Sequence, residues 1–156
     1  MAAVDPIVVT VEVPVTPDVA FIVFTARLGG WWPAEYTWSG DVLALIAIEP
    51  RVGGRCFERG PERFECDWGK VIACEPPERL AFRWQIDPQR VPVPDPAKAS
   101  EVEVTFSEAP GGATGLQLVH SHFDRHGDGG EAYRDALASP QGWPFILERY
   151  AAALAG

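Results

Sequence analysis

Positive charge is scarce in this sequence. Thirteen lysines and arginines stand against twenty-two acidic residues, a formal net charge of −9 over 156 residues. No nucleic-acid partner is expected, since neutralising phosphates takes a basic face, and an anionic membrane surface is disfavoured for the same reason. Long apolar runs are lacking too: none reaches the roughly 18–20 residues that cross a bilayer, so no membrane insertion is expected. Cysteine is sparse. Cys56, Cys66 and Cys74 are an odd number with no CxxC pair, which suits neither a disulfide framework nor a zinc site. The opening stretch MAAVDPIVV has no basic segment before its apolar one, and Asp5 and Pro6 interrupt it. The expectation is therefore a cytoplasmic protein without a signal peptide. Nucleophile elbow, P-loop, dinucleotide fingerprint and HExxH are all missing.

Aromatic residues are what the sequence has in excess: six Trp, eight Phe and three Tyr. The stretch GGWWPAEYTWSG, Gly29 to Gly40, concentrates three tryptophans and a tyrosine between flexible glycines. Such rings can fill a core, frame the mouth of a pocket, or grip a partner. One of Trp31 and Trp32 is expected to pack inward and the other to help form a mouth.

Periodicity gives the order of elements. Ile7 to Val15 is rich in β-branched residues and reads as a strand. Thr16-Pro17-Asp18 then opens a helix, with a good N-cap, proline at the first position and an acid at the positive end of the dipole. Its apolar face, Ala20, Phe21, Phe24 and Leu28, runs to Gly29-Gly30. Strands are expected over 43–48, 52–58, 64–74, 79–86, 100–108 and 116–122. Two alternate cleanly, with Leu80, Phe82, Trp84 and Ile86 on one face, and Val102, Val104 and Phe106 on another. Leu116, Leu118, His120 and His122 share a third face. Pro88, Pro92, Pro94 and Pro96 lack amide donors, so 87–98 reads as an extended, polyproline-like loop. A short helix follows from Glu131. The last helix carries an apolar stripe of Trp143, Ile146, Leu147, Tyr150 and Leu154 at three- and four-residue steps. One antiparallel sheet with one long amphipathic helix to cover it makes a single α+β domain over 1–156.

Chemistry is harder to find. His120 and His122 on one strand face could supply two metal ligands, with Asp124 or His126 a third. Two histidines at a strand end arise readily without a metal, and no metal or cofactor is expected. Glu62, Glu65 and Asp67 cluster, while Glu101 and Glu103 fall on the wet face as solubilising charges. An apolar cavity lined by aromatics and holding a few polar groups is the usual design of a small-molecule pocket.

The pieces VPVTPDVAFIVFTARLGGWWP, PRVGGRCFERG, WGKVIACEPPERLAFRWQI, EVEVTFSEAPGGATGLQLVHSHF and GWPFILERYAAAL, in that order, resemble the SRPBCC (START-like) superfamily. The nearest branch is similar to the activator of heat-shock-protein-90 ATPase homologues. The resemblance runs from about Ile7 to Leu154. It implies the helix-grip fold, a curved antiparallel sheet wrapped around a long C-terminal helix, often with a cavity between them. Members carry lipids or steroids, cyclise polyketides, or act as co-chaperones, so the fold alone assigns no function. The co-chaperones of that branch have a further N-terminal domain, whereas this chain begins at its first strand, and direct ATPase stimulation is not expected.

The first expectation is a binding module for an apolar or aromatic small molecule. Phe82, Trp84 and Trp143 would be walls, His120 the interior polar group, and Trp31, Trp38 and Phe123 the rim. The second is a cyclase- or hydrolase-like enzyme using His120 or His122 for proton transfer. The third is a stress-linked co-chaperone-like module or homodimer, which would need an exposed apolar patch from Trp32, Tyr36 and the proline loop.

Overall fold

The computed structural model describes residues 4–155. Seven antiparallel strands form one sheet in the order β1-β7-β6-β5-β4-β3-β2. They are β1 (Ile7–Val13), β2 (Leu45–Ile48), β3 (Arg55–Arg59), β4 (Glu65–Glu75), β5 (Arg79–Trp84), β6 (Ser100–Ala109) and β7 (Ala113–Ser121). Among the described residues three α-helices accompany them: α1 (Pro17–Phe24), α2 (Gly130–Ala138) and α3 (Trp143–Ala155). The sheet curves around α3, which is the helix-grip arrangement. Among the described residues no helix is long and apolar enough to cross a membrane.

Alternation decides the inner face where the strands are regular. Val102, Val104 and Phe106 of β6 are buried and sit opposite His120, Leu118 and Leu116 of β7, which are buried too. Phe82 of β5 pairs with Val102 and continues that layer. Against this half of the sheet α1 and α3 pack tightly. Phe21 meets Phe106 edge-on at 5.4 Å, and Tyr150 meets Phe24 at 5.5 Å. Tyr150 Oη also donates to the Ala20 carbonyl at 2.7 Å, which ties α3 to α1. Trp143, Ile146, Leu147 and Tyr150 are all buried, as the stripe predicts, while Leu154 at the far end is only half-buried.

Three boundaries differ from the sequence reading, each for a reason in the packing. Helix α1 ends at Phe24, not at Leu28. The Thr25 hydroxyl folds back to the Phe21 carbonyl at 2.8 Å, and the Thr25 carbonyl is taken by Ile48 N of β2. The same carbonyl accepts Leu28 N, so the chain leaves the helix through a tighter i to i+3 turn that shares its acceptor with the strand. Strand β7 ends at Ser121, and His122 turns left-handed with φ 65°. His122 is therefore off the face it was expected to share with His120. The proline loop is not freely extended: Val93 N donates to the Gln85 carbonyl and Asp87 N to the Val91 carbonyl, folding 87–93 back onto the end of β5.

Candidate functional site

The inner face of the sheet divides in two. Over β1, β6 and β7 it is filled by α1 and α3. Over β2 to β5 a cavity of about 340 Å³ remains. Its walls come from Ile46 of β2, Glu58 of β3, Trp68 of β4 and Trp84 of β5. Opposite them stand Tyr133 and Leu137 of α2 and Ile146 of α3, and Trp32, Tyr36 and Trp38 close a third side.

The inner wall is built from tryptophan. Trp32 is nearly parallel to Trp68, with centroids 6.0 Å apart and planes 22° apart. It also stands edge-on to Trp143 at 5.9 Å. Trp84 meets Trp68 at 5.9 Å and Trp143 at 5.5 Å. Rings held by rings on several sides have fixed orientations, and that favours a rigid aromatic wall of faces and edges over an adaptable one. The Trp84 indole N–H donates to Tyr133 Oη at 2.7 Å, and Tyr133 Oη donates to the Ile86 carbonyl at 3.0 Å. Burial pushes the Tyr133 phenol up to about 12, so it stays protonated at neutral pH.

Polar groups in the wall are few and mostly spent within the protein. Glu58 is 0 % exposed. Its two oxygens accept the backbone N–H groups of Trp38 at 3.2 Å and Ser39 at 2.7 Å, which pins the aromatic loop to β3. The Thr37 hydroxyl donates to the Ala34 carbonyl at 2.6 Å and that of Ser139 to the Ala136 carbonyl at 2.6 Å. At the mouth three segments are tied together. Trp38 Nε1 donates to the Arg90 carbonyl at 2.9 Å, the Arg90 guanidinium to the Tyr36 carbonyl, and Tyr36 Oη to the Gln141 carbonyl at 2.7 Å.

Of the seven side chains expected at the site, Trp38 and Trp84 line the cavity, and five do not. Trp31 is not at the rim. At 2 % exposure it lies in the core, donating to the Val23 carbonyl at 2.8 Å and packing on Tyr150 at 4.9 Å. Its neighbour Trp32, 8 % exposed, makes the inner wall. The adjacent pair thus splits between core and cavity, and neither forms a mouth. Phe82 lies behind Trp68, edge-on at 6.0 Å. Trp143 backs Trp32 and Trp84. Phe123 is buried against His120, with ring centroids 4.2 Å apart, far from being a rim residue.

His120 belongs to a buried chain of hydrogen bonds behind that wall. Its Nδ1 accepts from Trp143 Nε1 at 2.9 Å, its Nε2 meets Ser100 Oγ at 2.7 Å, and Ser100 Oγ meets His126 Nε2 at 2.7 Å. An indole N–H can only donate, so His120 Nδ1 is the bare nitrogen and Nε2 carries the proton. Burial, with a smaller push from His126, holds its pKa well below 6.5. A neutral, fully hydrogen-bonded imidazole facing away from the cavity is a packing element. His122 is exposed and lies 3.3 Å from Glu101. Neither histidine lines the cavity, and of the residues expected to make an exposed apolar patch with the proline loop, Trp32 is buried and Tyr36 half-buried in the cavity wall.

Sequence reasoning overlooked Trp32 as an inner wall, and also Trp68, Glu58, Tyr133 and Arg90. A signal existed for Glu58, which shares the period-two face of buried Cys56 on a short strand. The register shift beside Cys56 hides the corresponding signal for Trp68 on β4.

Comparison with known proteins agrees with this architecture. The anthrahydroquino-γ-pyrone synthase Txn09 is 36% identical, with a TM-score of 0.69 over 98% of this chain and 99% of that one. The self-sacrificing resistance protein CalC of Micromonospora echinospora is 26% identical, with a TM-score of 0.66 over 96% of this chain and 93% of that one. A protein of Nitrosomonas europaea shares the fold at 15% identity and a TM-score of 0.68, over 98% of this chain and 97% of that one. No curated protein matches the sequence. The family model for the activator of Hsp90 ATPase homolog 1-like protein matches residues 14–155. With nearly the whole sequence matched, the chain belongs to the family of activator of Hsp90 ATPase homolog 1-like proteins.

Proposed function

We propose that the protein binds a planar, polycyclic aromatic small molecule in the cavity between β2–β5 and helices α2 and α3. The observation that carries this reading is the wall itself. Six aromatic side chains, Trp32, Tyr36, Trp38, Trp68, Trp84 and Tyr133, surround about 340 Å³. That volume is at the small end of the roughly 300–1,000 Å³ of ligand pockets, a size for a few fused rings. Faces and edges of indoles attract flat π-systems beyond simple burial.

A second reading is that the bound molecule is also converted. It is favoured by the likeness to a synthase that forms an anthrahydroquino-γ-pyrone, which extends over both chains almost end to end. On this reading the proton-transfer residues are Glu58 and Tyr133, which line the cavity, and not His120 or His122. Native mass spectrometry of protein purified from its own host tests binding, since a retained ligand adds its mass. Incubation of tricyclic quinones with the protein separates the two readings: a binder returns them unchanged, and a synthase returns a new absorbance spectrum and mass. Absence of both retained mass and quinone binding would contradict the proposal.

A further inference from the structure

Among the described residues that line the cavity, Arg90 is the one cationic side chain. A guanidinium has five N–H donors. One is spent on the Tyr36 carbonyl, and among the described residues no other acceptor bonds it and no carboxylate lies within ion-pair distance. The nearby Asp87 is already engaged, its Oδ1 accepting the backbone N–H groups of Gln89 at 2.9 Å and Val91 at 2.8 Å.

The loop holds Arg90 in place rather than leaving it to wander. Arg90 N donates to the Asp87 carbonyl at 2.9 Å, and the Arg90 carbonyl accepts from Trp38 Nε1. Its backbone is left-handed, φ 65°, a conformation that a non-glycine residue keeps only where its surroundings impose it. Meanwhile the hydroxyls of Thr37, Tyr133 and Ser139 all spend their protons on backbone carbonyls. An apolar cavity therefore ends in an exposed guanidinium whose backbone is held by the loop, whose side chain is tied to the Tyr36 carbonyl, and whose other donors are unspent within the protein.

We propose that the ligand carries an acidic oxygen, a carboxylate or acidic phenol, on the edge that faces the mouth, and that Arg90 is the residue that selects it. This rests on the binding of a planar aromatic molecule proposed above. The ring system would lie against Trp32, Trp68 and Trp84, and the planar fork of Arg90 would take the oxyanion. The protein's net charge of −9 disfavours anions at long range. Any preference for one must therefore come from the local contact, and at physiological salt the remote charges are screened beyond about 8 Å.

The test is a pair of near-isosteric probes, anthraquinone-2-carboxylate and anthraquinone-2-carboxamide, titrated calorimetrically at 0.15 M salt (about physiological). The native protein should prefer the carboxylate by about 5- to 30-fold, between an exposed ion pair and a desolvated charge-assisted one. Arg90→Gln should erase that preference while still binding the carboxamide, and Arg90→Lys should restore part of it. Reading the ratio of the two affinities removes any general loosening of the mouth by the substitution. Equal affinities in the native protein, or a ratio that Arg90→Gln leaves unchanged, would overturn the assignment of Arg90. Failure of both probes to bind would instead overturn the cavity reading, and this inference with it.

Discussion

Trp143 Nε1 donates to His120 Nδ1 across 2.9 Å, and both side chains are wholly buried. This bond joins the start of α3 to the end of β7 and fixes which nitrogen of His120 carries the proton. It also explains how a histidine on an inward strand face can be structural. The imidazole completes a line of donors and acceptors from Trp143 through Ser100 to His126.

Removing the donor alone should be costly. Trp143→Phe keeps most of the ring packing but leaves His120 Nδ1 buried without a partner, a loss of about 1–3 kcal/mol. Trp143→Ala adds a cavity and should lose about 3–5 kcal/mol. Urea unfolding of both variants checks this, and a loss from Trp143→Phe below about 0.5 kcal/mol would mean that the bond contributes nothing.

The same bond sets a pH dependence. Burial, and then the neighbouring His126, keep the folded-state pKa of His120 below 6.5, the value expected in the unfolded chain. Above 6.5 both states are neutral and stability is fully present. As pH falls below 6.5 the unfolded chain takes up a proton that the folded protein resists, and stability declines by up to about 1.4 kcal/mol per pH unit. Urea midpoints at pH 7.5, 6.5 and 5.5 should follow that course. His120→Gln, which can still accept from Trp143, should flatten it; a slope identical in the variant would assign the effect to other groups.

Glu58 should act on the cavity through the loop it holds. Glu58→Ala leaves two backbone N–H groups, those of Trp38 and Ser39, without their carboxylate acceptor. A loss of about 1.5–3 kcal/mol is expected from the bonds to a charged group, together with weaker quinone binding as the Trp38 side of the wall loosens. Thermal melting with and without probe distinguishes this from a purely catalytic role, which would leave the melting temperature of the free protein unchanged.

How far the sequence carried the reading depended on regularity. Strands β5, β6 and β7 keep their alternation, so Leu80, Phe82 and Trp84, and Val102, Val104 and Phe106, could be assigned to the inner face from spacing alone. The stripe from Trp143 to Tyr150 was legible for the same reason. The cavity lies over the other half of the sheet. There β3 and β4 slip register beside Cys56, and β4 and β5 slip again after Val71. Period two no longer tells which side chains face in. Within the aromatic loop no periodicity exists, and the division between Trp31 and Trp32 depends on distant partners, Tyr150 for the one and Trp68 for the other. His122 was misplaced by one residue of strand, enough to turn it out to solvent.

The central claim is that the space between β2–β5 and the helices holds a flat aromatic ligand, and one titration tests it most directly. Ala136 lies on α2 at the cavity's edge and is exposed, so Ala136→Trp puts an indole into the space while leaving the core intact. Calorimetric titration of anthraquinone-2-carboxylate should give saturable one-to-one binding to the native protein and at least about tenfold weaker binding to Ala136→Trp, roughly 1.4 kcal/mol or more, with the free proteins melting within a few degrees of each other. No saturable binding to the native protein, or equal binding to both, would contradict the account.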